Sequence, residues 1–312
     1  MATAPPRIVS LLPAATEIVA ALGLRPALVG RSHECDEPAD VLFLPALTAP
    51  RLDPAASSAE IHAAVGRARE GGPDTSAALF TLDIDRLAAL APDVILTQAA
   101  CEVCAIAAAD VTAAVRAVGH AVRIVPLSPT TLADMYGDIL HVGAATGTLP
   151  RAREVVARLR ARAASVSCRL HALRSTRPRV AVVEWLDPPM AAGNWVPELL
   201  RLAGGDDVLG RPGAHSHWIA WDDLAAADPD VVILAPCGFT VDRIVAEAAL
   251  PAIRGRLESL RAARTGRLVA VDGHHLLNRP GPRLVDSLEV LAEILHPGRF
   301  SFAATRRFAR RL

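Results

Sequence analysis

Lysine is missing from the sequence, so all 33 basic side chains are arginines. That absence excludes a P-loop lysine, a Schiff-base lysine for pyridoxal chemistry and a lysine general base. Arginine replaces none of them, because its guanidinium does not give up its proton. Tyrosine occurs once, as Tyr136, in a stretch that reads as a connecting helix, which argues against tyrosinate ligation of haem. Cysteine is scarce, with five residues, and a small odd number does not build a disulfide framework. No stretch reaches the roughly 18 to 20 apolar residues of a membrane helix, so no membrane insertion is expected. The sequence also has no G-x-S-x-G elbow, no H-E-x-x-H pair and no G-x-G-x-x-G after a predicted strand, which leaves the corresponding catalytic templates unsupported.

An excess of charge of either sign is absent as well, because the 33 arginines meet 33 acidic residues. A balanced chain has no global field for nucleic acid or an acidic membrane. The one basic cluster is the tail "ATRRFARRL" with Arg306, Arg307, Arg310 and Arg311; residues 298–312 are expected to be a solvated, frayed end. The opening "MATAPPRIVSLLP" reaches a predicted strand by Ile8, which leaves no room for a secretory signal. The expected location is therefore cytoplasmic, with reduced thiols.

What the chain does have is apolar residues, 52% of 312, enough for a substantial core. It also repeats itself loosely. "LAALAPDVILTQAAC" from Leu87 matches "LAAADPDVVILAPC" from Leu224, and "PRIVSLLPAATEIVAALG" matches "PRVAVVEWLDPPM…NWVPELLRLAGG". Short Val/Ile-rich runs alternating with helical patterns predict parallel βα units whose strands are covered on both faces. The reading is α/β, with lobes at residues 7–127 and 178–297 and connecting helices over 128–177. Thr131 and Asp134 have capping-box spacing for the first connecting helix. Pro150 suits the first turn of a second, about 22 residues long, with Val155, Leu159, Val166, Leu170 and Leu173 on one side.

The rare residues gather in loops at predicted strand ends, where ligands of parallel sheets bind. Cys101 and Cys104 stand at a strand-to-helix transition, which favours thiolate. They read as ligand contacts, as half of a zinc or iron site completed by Cys35, His33 or Cys237, as a redox pair, or as small core residues. Trp185, Trp195, Trp218 and Trp221 all fall in the second lobe. The first three are candidates to cover a large flat ligand with polar edges, whereas Trp221 opens a helix and is expected in the core. His33 and His215 are the candidate imidazole contacts, ahead of His217, His274 and His275. Arg279 and Asn194 are expected at a ligand's rim. No residue is assigned a catalytic role and no cofactor is required.

"RIVSLLPAATEIVAALGL…LVGRSHECDEP", "LDIDRLAALAPDVILT" and "PRLVDSLEVLAEIL" resemble the cobalamin- and siderophore-binding branch of the periplasmic-binding-protein superfamily. Within it, they resemble the vitamin-B12-binding proteins of ABC importers. The resemblance runs from about residue 7 to 297. It implies two Rossmann-like lobes with parallel sheets joined by one long helix. A cobalamin-like corrinoid or similar metal chelate would be held in the interlobe cleft without turnover. It further implies an ABC permease as partner and a periplasmic or surface-anchored setting. Relatives dock through one acidic residue per lobe; Asp85 falls at the first such position, and Glu198 lies one turn before Arg201 near the second. Met190 stands where an aromatic residue is expected. The alternative is a metal-binding protein or thiol-dependent enzyme using Cys35, Cys101, Cys104 and Cys237 on the same scaffold.

Overall fold

The computed structural model describes residues 5–70, 80–98 and 108–312. Two compact units divide the chain: Met1–Ala56, Glu60–Pro129 and Asp134–Ala157 form the first, and Ser57–Ala59, Thr130–Ala133 and Arg158–Leu312 the second. The elements run β1 (Ile8–Ser10), α1 (Pro13–Ala21), β2 (Leu28–Arg31), β3 (Thr48–Pro50), α2 (Ser58–Glu70), β4 (Phe80–Leu82), α3 (Ile84–Ala89), β5 (Val94–Gln98), α4 (Ala108–Val118) and β6 (Arg123–Leu127). Next come α5 (Leu132–Ala145) and α6 (Leu149–Ala172). The rest is β7 (Arg179–Leu186), β8 (Pro189–Ala191), α7 (Val196–Leu202), β9 (Asp206–Asp207), β10 (His217–Trp218), α8 (Trp221–Ala227), β11 (Val231–Leu234), α9 (Val241–Ala248), α10 (Pro251–Glu258), α11 (Arg261–Arg264), β12 (Leu268–Val271), α12 (Leu284–Leu295), α13 (Ala303–Phe308) and β13 (Ala309–Arg311).

Among the described residues the first unit carries a parallel sheet of order β2-β1-β5-β6. Its central strands are apolar and covered on both faces, as parallel sheets require. In the second unit β7, β11 and β12 are parallel and equally buried. The helix α6 has 24 residues, with Pro150 in its first turn and Val155, Leu159, Val166 and Leu170 all buried. Leu173 lies one residue past its end and is 40% exposed, off the expected stripe.

The internal repeat has a physical cause. Asp93 accepts from the Arg7 amide (2.7 Å) while its own amide donates to the Arg7 carbonyl (2.8 Å). Asp230 makes the same reciprocal pair with Arg179, at 2.8 and 2.8 Å. In both halves the arginine then reaches the end of the preceding helix, Arg7 to the Leu90 carbonyl and Arg179 to that of Ala227. Each Pro-Asp turn thus clamps the start of the neighbouring strand and fixes its register. Both first helices end alike, at Gly23 and Gly204 with φ +79°, closed by amide bonds from Leu24 to Val19 and from Gly205 to Leu200. Asp93→Ala and Asp230→Ala are each expected to cost about 1–2 kcal/mol, because a charge-assisted bond at a strand start is lost. Urea unfolding at neutral pH measures this, and unchanged midpoints would remove the clamp from the account.

Two expectations are corrected. The second unit's sheet is mixed rather than parallel: its order is β10-β8-β7-β11-β12-β13, with β8, β10 and β13 antiparallel. Leu186 pairs with Pro189, so Asp187 and Pro188 form a two-residue hairpin turn where a loop was expected. The tail is also ordered. Phe308 is 8% exposed, β13 pairs with β12, and Glu293 accepts from the Phe302 amide (2.6 Å) and the Thr305 hydroxyl (2.8 Å). One buried aromatic and a strand edge needing a partner outweigh the solvation of the arginines around them.

Candidate functional site

The strand β7 pairs with β11 only as far as Val183, so Glu184–Leu186 continue past the carboxyl end of the parallel sheet. There β8 and β10 extend it. Val183 pairs with Ala191 and Trp185 with Met190, which leaves Glu184 as the extra residue of a bulge. A bulge re-aims the side chains around it. Here it sends the Glu184 carboxyl inward and sets Trp185 beside Met190.

Met190 also pairs with Trp218, so Trp185, Met190 and Trp218 stand side by side across three strands on one face. Trp185 is half-buried; its Nε1 donates to the Ser58 carbonyl (3.1 Å), and its ring meets Phe239 edge-on, centroids 5.4 Å apart. The outermost member, Trp218, is 52% exposed. The face is thus an indole–thioether–indole shelf, anchored at one end and open at the other.

Behind the shelf lies a buried acidic network. Glu184 accepts from the Ser216 hydroxyl and the Gly193 amide. Burial pushes its carboxyl up to about 7; the bond from Ser216 opposes this, Asp207 adds to it, and the bond from Gly193 opposes it again. Asp207 uses Oδ1 to accept from the Gly210 (2.7 Å) and Leu209 (3.1 Å) amides, while burial raises its pKa. Burial and Arg211 lower His217, with Asp207 acting the other way. The backbone approaches closely here: a Cβ at Gly193 would lie 2.4 Å from the Ala214 carbonyl oxygen and the Ser216 nitrogen. Only glycine allows the 211–216 loop to lie against this edge. Asn194, with φ +50°, donates its amide to Ala214 (2.6 Å).

A second cluster follows β12, where Gly273–Leu277 form a π-helical turn, a feature that often marks functional sites. Asp272 accepts from the His275 amide (2.6 Å), and its oxygens lie 3.1 Å from His275 Nδ1. Burial opposes the Asp272 carboxylate, yet the His275 bonds bring its pKa below the ordinary value. A carboxylate beside Nδ1 fixes the ring's orientation, as it does for metal-binding histidines. His274 stacks perpendicular to His275 at 4.5 Å.

The sequence-selected residues fall into distinct environments. Cys101 and Cys104 lie outside the described residues. Cys35 is fully buried in the first unit, its sulfur 3.0 Å from the Thr16 hydroxyl that donates to it. It is an interior thiol rather than one at a surface, because α1 folds directly over it. Cys237 is exposed on the second unit, its amide bonded to the Glu184 carbonyl. His33 places Nδ1 2.6 Å from Thr48 Oγ1 and its ring 5.4 Å from Phe80. Trp195 is 8% exposed and donates to the Leu277 carbonyl (2.8 Å), so its indole belongs to the core. Arg279 is 3% exposed, with Nη2 3.4 Å from His274 Nε2, an interior position where a rim was expected. His215 is exposed in the 211–216 loop. Asp85 is exposed in the first turn of α3, whereas Glu198 accepts from the Leu132 amide (3.0 Å) and so caps α5. Sequence reasoning passed over Glu184, Asp207 and Ser216, although an acid inside "VAVVEWL" was a readable signal.

The sequence pattern of the family described as periplasmic binding protein matches residues 8–273. A relative from Halobacterium salinarum named "Cobalamin-binding protein" is 29% identical over 160 residues, which is 50% of this chain. The match spans 42% of that relative's length. A periplasmic heme-binding protein from Pseudomonas aeruginosa shares the fold with TM-score 0.74 at 22% identity, over 98% of each chain. The periplasmic vitamin B12 binding protein of Vibrio cholerae does so with TM-score 0.65 at 21% identity, over 93% of this chain and 97% of its own. The second-unit sheet and its shelf are therefore read on the scaffold of binding proteins, not of enzymes: the chain belongs to the periplasmic binding protein family.

Proposed function

We propose that this chain is a solute-binding protein that holds a corrinoid of the cobalamin type against the shelf of the second unit, without chemical turnover. The observation that carries the reading is the ladder Trp185–Met190–Trp218, with Trp218 52% exposed. A corrin is broad and apolar on its face and carries amides around its rim. Indole and thioether surfaces suit the face, and exposed His215 beside the ladder suits the rim. The name of the Halobacterium salinarum relative supports the same ligand class. An ABC permease is the proposed partner of the loaded protein, with exposed Asp85 as a contact.

Titration with cobalamin and cobinamide, followed by calorimetry and visible spectra, tests this. Saturable one-to-one binding with quenching of tryptophan fluorescence is expected. No heat and no spectral change at high micromolar ligand retires the corrinoid.

One observation favours a second ligand, an iron porphyrin: His275, oriented through Nδ1 by Asp272, offers an axial nitrogen. Hemin titrated into the wild type and His275→Ala separates the two. A Soret shift lost in the variant, with no response to cobinamide, selects the porphyrin.

A further inference from the structure

The C-terminal segment builds a second feature, unrelated to the shelf. Between β12, α12, α13 and β13 lies a surface hollow of about 380 Å³. Among the described residues, four arginines (Arg267, Arg306, Arg310 and Arg311) and one acid, Glu293, line it. The acid is already engaged, since Glu293 Oε2 accepts from the Phe302 amide and the Thr305 hydroxyl. Arg310 is paired with Asp242 at 2.8 Å. Arg306 and Arg311 have no carboxylate within ion-pair distance among the described residues, and Arg267 spends one Nη2 hydrogen on the Leu295 carbonyl at 3.3 Å. Burial first, and then the like charge of Arg311, hold Arg267 below its ordinary pKa, with Asp230 acting the other way.

Three guanidiniums therefore share one concave site without enough negative charge to balance them. They come from three separate elements: Arg267 just before β12, Arg306 on α13 and Arg311 on β13. A planar carboxylate offers two oxygens in one plane and suits a single arginine fork. Donors supplied by separate elements around one hollow suit a tetrahedral anion, which has an oxygen for each. Most of this lining falls outside residues 8–273, the part of the chain that matches the family pattern. We propose that the hollow binds a phosphoryl group carrying two negative charges, held by Arg267, Arg306 and Arg311. The group belongs to a soluble phosphate compound or to an acidic phospholipid headgroup.

The test uses the full chain with inorganic pyrophosphate as probe, in calorimetry and thermal unfolding. Saturable one-to-one binding is expected, together with a rise in Tm that sodium chloride at matched ionic strength does not reproduce. Arg306→Ser combined with Arg311→Ser is expected to weaken binding by roughly ten-fold or more, because two charge-assisted contacts are lost. Both side chains are exposed, so the unliganded Tm should be unchanged. Vesicles of phosphatidylcholine with and without phosphatidic acid identify the source: sedimentation with the acidic vesicles that pyrophosphate reverses assigns a lipid headgroup. No saturable heat at millimolar pyrophosphate, or undiminished binding in the double variant, overturns the site. So does vesicle binding that pyrophosphate fails to displace.

Discussion

Replacing Trp218 by alanine is expected to weaken the proposed corrinoid binding by roughly 30-fold, a loss of about 2 kcal/mol, while leaving the unfolding midpoint nearly unchanged. The two effects separate because of where the indole sits. At 52% exposure it contributes little to folding, and surface truncations of this kind usually stay within about 0.5 kcal/mol. As the open end of the ladder it would contribute a whole aromatic face to the ligand, the size of contact that dominates binding hot spots. Trp195→Ala should behave in the opposite way. That indole is 8% exposed and bonded to Leu277, so its loss costs about 3–5 kcal/mol of stability through the cavity left behind. Parallel calorimetric and urea titrations of the two variants decide the matter. Equal affinity of Trp218→Ala and wild type would place the ligand elsewhere.

The second large effect is in pH. Glu184 titrates at about 7 in the folded chain against an ordinary value of 4.5. Between those values the folded protein keeps a proton that the unfolded chain has lost. Stability therefore falls as pH rises through that window, and above about pH 7 the penalty is constant. A shift of this size corresponds to about 3 kcal/mol. Glu184→Gln retains an acceptor for Ser216 and Gly193 but carries no charge. It should be more stable than wild type at pH 8 by a few kcal/mol and nearly equal to it at pH 4.5. Burial also raises Asp207 and Asp138, which lowers stability with rising pH in the same sense. The depressed histidines His33, His217 and His296 act oppositely, their contribution being lost as pH falls. Comparing urea midpoints of variant and wild type at each pH cancels these shared contributions. Parallel stability curves for the two proteins would show that the network does not hold Glu184 protonated.

Much of the architecture could be read from local signals. The Pro-Asp dipeptides at 92–93 and 229–230, each preceded by a short helix and followed by an apolar run, mark two copies of one unit. The structure shows why they recur: each aspartate clamps the start of the neighbouring strand, β1 or β7. The apolar stripe on α6 placed its length and register within a residue or two. Composition marks the tail as solvated, with four arginines in nine residues, whereas Phe308 and the open edge of β12 hold it down.

At the candidate site the division is sharper. Composition and spacing alone concentrated tryptophan in the second half and placed Trp185 and Trp195 in one strand-end loop. They did not distinguish Trp218 from Trp195, because each directly follows a polar residue, His217 or Asn194, and neither has a periodic context. Strand pairing distinguishes them: the hairpin after Leu186 brings Trp218 beside Met190, while Trp195 turns toward Leu277. Cys35 and Arg279 likewise read as candidate ligand contacts, and only the structure shows both to be buried, Cys35 against Thr16 of α1 and Arg279 beside His274 in the turn after β12. The sequence by itself determined the periodic, local facts of element type, strand burial and the duplicated turn. Only the tertiary structure decided which polar and aromatic groups face solvent, because that depends on bulges, antiparallel pairings and close backbone approaches between segments far apart in the chain.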